Sequence, residues 1–195
     1  MDTFKIAAKI FAAEDCFAPD RFIPIFHRWI QNQAVDGHLL IDVADYAHVV
    51  AGPGTVLVSS QANFHMDRGD NRLGLSYWRK SPLPGSFRDQ LRAVILETAK
   101  AAALLQREES LAGELVFKGE EIQVRLNERL HAPANAETLA LVKPDFSAVG
   151  KEIYGDGFSL EPKISPNALF EIRLKSARPV SMTALLERLA QRKSA

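Results

Sequence analysis

Between Asp42 and Asp67 the sequence gathers Asp42, Asp45, Tyr46, His48, His65 and Asp67 around the turn Gly52-Pro53-Gly54, with two of the chain's five histidines among them. Imidazole and carboxylate groups in one short segment are the raw material of general acid–base chemistry, because imidazole changes charge near neutral pH and a carboxylate can tune it. If a strand continues past Val43, Asp42, Tyr46 and His48 share one face, since side chains two apart point the same way. The segment therefore offers Asp45 and His48 as candidate catalytic residues, either one as general base, and Asp42, Tyr46 and His65 as candidate ligand contacts. The competing role is structural: Asp42 and Asp45 serve turns or caps, and His48 sits on the surface. The chain has no HxH, HExxH or DxDxD-like run. An Asp45, His48, His65 metal cluster thus has no spacing behind it, and no metal is expected.

A second polar run is Gln123, Arg125, Asn127, Arg129 and His131, which alternate with Ile122, Val124, Leu126 and Leu130. As a strand this has one core face and one face of guanidinium and amide donors. Arginine presents a planar fork that matches a carboxylate or phosphate, so Arg125, Asn127 and Arg129 are candidate ligand-binding residues. The plainer alternative is a wet sheet face with its arginines paired to neighbouring carboxylates.

Other chemistries find little support. Ser59-Ser60 lacks a Gly-x-Ser-x-Gly elbow, no glycine-rich loop has phosphate-binding or dinucleotide spacing, and the sequence names no cofactor. Cys16, the only cysteine, lies among Glu14, Asp15 and Asp20, a setting that disfavours a thiolate. Its solitude also rules out an intrachain disulfide and fits a reducing cytoplasm. Tyr77, Trp78, Arg79 and Lys80 superficially suggest a stacking surface, but acids interleave everywhere, and 24 Lys plus Arg balance 24 Asp plus Glu. Without a global positive field, nucleic-acid binding is not expected.

These residues must be positioned by ordinary elements. Phe4 to Phe11 alternates as a first strand, and Phe22, Phe26, Trp29 and Ile30 recur at helical spacing after Asp20 and Pro24. Leu39 to Val43 is continuous and apolar before its acid, Asp42, which reads as a strand near the middle of a sheet, buried on both faces. Thr55 to Ser60 and Leu73 to Trp78 read as partners in a hairpin. Ser86, with Asp89 three residues on, caps a long helix whose alanines at 99 and 101 to 103 favour close packing on the sheet. Leu115 to Lys118 and Ile122 to Leu130 read as a second hairpin turned at Gly119-Glu120. A helix capped at Asn135 and interrupted by Pro144 follows. Phe158 to Ile164 and Leu169 to Leu174 form a third hairpin, before a helix capped at Ser181.

The expected fold is α+β: a layered sandwich with a largely antiparallel or mixed sheet, opening β-α-β and followed by three β-β-α units, with no residue-level repeat behind them. A length of 195 residues, 47% hydrophobic and 25% charged, suits one domain over residues 1–195. No apolar run approaches a membrane span, and the N-terminus does not pattern as a signal peptide, so a cytoplasmic, non-membrane protein is expected. Three functions fit. The first is binding of a small polar or anionic ligand between the Asp42–His48 segment and the Arg125–Arg129 strand. The second is a metal-independent acid/base enzyme, hydrolytic or proton-transferring, with Arg125 or Arg129 stabilising negative charge. The third is an interaction scaffold, a homodimer through Trp29, Trp78 and the alanine-bearing helix.

Overall fold

The computed structural model describes residues 5–15, 17–49, 52–111, 113–165 and 167–191. Cys16, the residues through Phe4 and the end of the basic tail fall outside them. The elements in chain order are β1 (Ile6–Ala12), α1 (Ile23–Asn32), β2 (Leu40–Tyr46), β3 (Gly54–Ser59), β4 (Ala62–Asp67), β5 (Gly74–Arg79), α2 (Phe87–Gln106), β6 (Phe117–Leu126), α3 (Ala136–Tyr154), β7 (Phe158–Lys163), β8 (Phe170–Ser176) and α4 (Met182–Ala190). All eight strands join one antiparallel sheet in the order β2-β3-β4-β5-β1-β6-β8-β7. The class is α+β. No helix among the described residues is long and apolar enough to cross a membrane.

Alternation in the strands explains the layering. One face of the sheet carries Ile6, Ala8 and Ile10 of β1 with Phe64, Leu75, Tyr77, Ile122, Val124, Ile172 and Leu174, and these share one apolar core with the buried residues of all four helices. Ala99, Ala101 and Ala102 of α2 are buried there, small enough to let the helix lie close over β1 and β5. Ser86 and Asp89 form the expected capping box, and the Asn135 and Ser181 side chains accept from Thr138 N and Ala184 N. The opposite face of the sheet is polar. It carries Lys9, Gln123, Arg125, Glu171 and Arg173.

Four sequence expectations are corrected. β2 is an edge strand, not a central one, with Leu39 and Ile41 59% and 55% exposed. An apolar run signals burial only when neighbours lie on both sides, and among the described residues β2 pairs with β3 alone. Thr55–Ser60 and Leu73–Trp78 are not partners, because β4 stands between them, paired to each. The residues of β4 alternate strictly, Ala62, Phe64 and Met66 inward against Asn63, His65 and Asp67 outward. Leu115–Leu130 is not a hairpin: β6 runs unbroken through Gly119. That glycine is there for close approach, since its N–H donates to Val180 O at 3.0 Å and a Cβ would stand 2.6 Å from the same oxygen. Finally, α3 continues through Pro144 without a break.

The strand order also holds an internal symmetry that the sequence does not display. β6-α3-β7-β8-α4 repeats β1-α1-β4-β5-α2 with the β2–β3 hairpin left out, and the sheet is symmetric about the β1–β6 pair apart from that hairpin. The register agrees: Lys9 faces Ser76 across β1–β5 as Arg125 faces Glu171 across β6–β8. The helix caps Ser86 and Ser181 each follow ten residues after Ser76 and Glu171.

Candidate functional site

Side chains on the polar face fall into cross-strand rows. One reads Asp42, Val58, Asn63, Trp78, Ala7, Arg125, Glu171, Lys163, and the next Ala44, Val56, His65, Ser76, Lys9, Gln123, Arg173, Glu161. Asp42 and Arg125 thus share a face and a row, but five strand intervals separate them, about 24 Å at roughly 4.8 Å each.

The centre of this face is a buried lysine. Lys9 is 3% exposed, and its ammonium donates to Asp67 Oδ1 at 2.6 Å and to the carbonyls of Asp67, Gly69 and Arg72 at 3.2, 3.2 and 2.9 Å. Burial lowers the Lys9 pKa, partly offset by the Asp67 charge. Asp67 also accepts from Ser76 Oγ and from Gly69 N. These bonds fix the whole β4–β5 connection against the sheet.

That connection delivers Asp70. Asp70 and Asn71 adopt left-handed φ values of 61° and 55°, a conformation that Asp and Asn tolerate better than most residues. The Asp70 carboxylate lies over the second half of the sheet, in a cradle of donors from three strands. Its Oδ2 accepts from Gln123 at 2.7 Å, Arg173 at 2.9 Å and Arg125 at 3.1 Å, and its Oδ1 from Lys163 at 3.2 Å. Burial pushes the Asp70 carboxyl up, but the hydrogen bonds from Gln123 and Lys163 and the charges of Arg125 and Lys163 outweigh it and hold the pKa at about 2. Glu171 braces the cradle from below, accepting from Arg125 Nε at 2.8 Å and Arg173 Nε at 3.2 Å. Arg72 lies 3.8 Å over the Phe11 ring and bonds Glu121 at 2.8 Å.

On the same face, three strand intervals from Gln123, His65 stacks on Trp78 with ring centroids 5.4 Å apart and 11° between planes. Burial lowers its pKa to about 4, with the Asp67 charge opposing, so the ring is neutral at pH 7. Its Nε2 and the neighbouring Asn63 Oδ1 are buried without a hydrogen-bond partner. On the other side of the Asp70 loop lies a cavity of about 460 Å³ lined by Tyr46, Val49, Gly54, Met66, Arg68 and Gly69, among others, with Asp70 itself in the wall.

The candidate residues named from sequence divide accordingly. His65 and Arg125 lie on the polar face in adjacent rows but three strand intervals apart, about 14 Å at roughly 4.8 Å each, and Tyr46 lines the cavity. Asp42, Asp45 and His48 are exposed at the sheet edge, where Asp42 Oδ1 accepts from Val43 N and Asp45 Oδ1 from Ala47 N, each at 2.8 Å. Both bonds are local, the first within β2 and the second at the turn that follows it. Asn127 and Arg129 do not extend the Arg125 face, because β6 ends at Leu126 and the chain turns away, leaving both exposed. Among the described residues no group of three His, Cys, Asp or Glu is placed to hold a metal. Lys9, Asp70, Lys163, Glu171 and Arg173 were not singled out from sequence. Lys9 had a signal, a lone cation within an apolar strand, and Glu171, Arg173 and Lys175 alternate as clearly as the β6 residues do. No family model, curated protein or solved structure matches the chain.

Proposed function

We propose that this protein binds a small anionic ligand on the polar face of its sheet, at Gln123, Arg125, Lys163 and Arg173. The observation that carries this reading is the convergence of four donors, three of them cationic, on a single carboxylate. Such an arrangement is what anion recognition requires, and the charge-assisted bonds in it are the strong ones. The groups with proton chemistry on this face are otherwise engaged: His65 is neutral and half-buried, Ser76 is tied to Asp67, and the Lys9 donors are all used. Binding therefore accounts for the site better than turnover. Asp45, at the end of β2, and His48, in the turn after it, are both exposed.

Thermal unfolding with inorganic phosphate, sulfate, acetate and citrate tests this. A bound anion at 100 times its Kd should add about 2.7 kcal/mol. That rise should vanish in Arg125→Ala and Arg173→Ala and persist in His48→Ala. An equal rise in all four proteins would place the anion elsewhere.

The exposed edge strand favours a second reading, self-association. β7, the other edge, carries Pro162, Glu161 and Lys163, all unsuited to further pairing, whereas β2 exposes Ile41, with Leu39 just before it, and has no proline. Sedimentation should show a concentration-dependent mass that Ile41→Lys abolishes. A wild-type monomer at all concentrations would exclude the edge as an interface.

A further inference from the structure

The cradle is already filled by part of the chain itself, and what fills it is informative. Two oxygens of one planar group take all four bonds, three on Asp70 Oδ2 and one on Oδ1. A phosphate would bring further oxygens and a second negative charge. Those would meet Glu171, whose carboxylate already bonds both guanidinium Nε atoms, and Glu121, whose carboxylate lies 3.7 Å from Arg173. The site therefore suits a monoanion with two oxygens.

The wall between cradle and cavity is thin. A Cβ on Gly69 would stand 3.9 Å from a guanidinium nitrogen of Arg125, while Gly69 and Asp70 also line the 460 Å³ cavity with Tyr46, Val49 and Met66. That volume lies within the range of small-molecule sites, and the exposed Tyr46 and Val49 side chains give it an apolar wall.

We propose that the Gln123–Arg125–Lys163–Arg173 cradle recognises a carboxylate, that Asp70 is its resting occupant, and that the ligand is a monocarboxylic acid with an apolar body which displaces Asp70 and lies in the cavity walled by Tyr46 and Val49. This rests on the anion-binding reading above. Asp70 then acts as a latch: the ligand must compete with an intramolecular carboxylate, which weakens apparent affinity by the fraction of time the cradle is free.

The test is calorimetric titration of acetate, hexanoate, hexyl phosphate and hexanol into the wild type, Asp70→Asn and Asp70→Gly. Both substitutions tolerate the left-handed backbone, and both remove the competing charge. Hexanoate should bind either variant at least tenfold more tightly than the wild type, at least tenfold more tightly than acetate, and ahead of hexyl phosphate, with hexanol not binding. Equal affinity of hexanoate for the wild type and both variants would overturn the latch while leaving anion binding intact. So would a gain shared equally by hexyl phosphate, which would mean only that positive charge had been freed. Acetate binding as well as hexanoate would remove the apolar body from the ligand. If neither these anions nor inorganic phosphate bound any of the three proteins, the anion-binding reading would fall with the latch.

Discussion

Replacing Lys9 with methionine should destabilise the fold by about 3 to 5 kcal/mol, the range for removing one partner of a buried ion pair. Methionine keeps most of the stem volume, so the loss is electrostatic rather than a cavity. It leaves the Asp67 carboxylate, only 12% exposed, facing a side chain with no charge, and strips a donor from three carbonyls of the β4–β5 connection. Urea unfolding followed by circular dichroism measures the effect. The double variant Lys9→Met/Asp67→Asn should recover more than half of it, because the uncompensated charge is then gone. A single variant within 1 kcal/mol of the wild type would mean that the ammonium does not hold the connection. Because this connection carries Asp70, Lys9→Met should also loosen the latch. The site and the fold therefore share one anchor.

The second large effect is a loss of stability in mild acid. His65 has a folded pKa of about 4 against an ordinary 6.5, so as pH falls through 6.5 the unfolded chain takes up a proton that the folded chain refuses. Stability should decline between pH 6.5 and about 4, by up to about 3 kcal/mol. Asp70 acts lower down. Its carboxyl sits at about 2 against 3.8, so its contribution is complete above 3.8 and is lost as pH falls from there through about 2. That term is at most about 2 kcal/mol, and less in salt, since the Asp70 pairs reach the surface. Replacing His65 by phenylalanine keeps an aromatic ring against Trp78 and should flatten the decline between pH 6.5 and 4 without removing the one below 3.8. A slope unchanged in that variant would assign the acid sensitivity to another group.

The relation between sequence and site is uneven, and the reason is distance along the chain. Local signals were legible: the Ser86, Asn135 and Ser181 caps, the β7–β8 hairpin, the amphipathic α2, and the outward side chains Gln123 and Arg125. Each depends on neighbours within a few residues, where backbone geometry alone decides which groups meet. β4 was also legible in principle, since its alternation is complete. Its outward Asn63, His65 and Asp67 are one half of that alternation, and Ala62, Phe64 and Met66 the other.

What the sequence determined by itself is the α+β class, the positions of most helices and strands, the supply of donors on one side of β6, and a balance of charge with no global field. The tertiary structure alone decided strand order, and with it that Asp42 and His48 lie at an edge while Arg125 lies near the centre. It also decided that residues 70, 123, 125, 163 and 173 form one cluster. No local pattern brings a loop aspartate to three strands so far from it in the chain. That meeting follows from β1 and β6 pairing at the middle of the sheet and from Lys9 pinning the loop above them, and both come from the packing of the whole chain around one core.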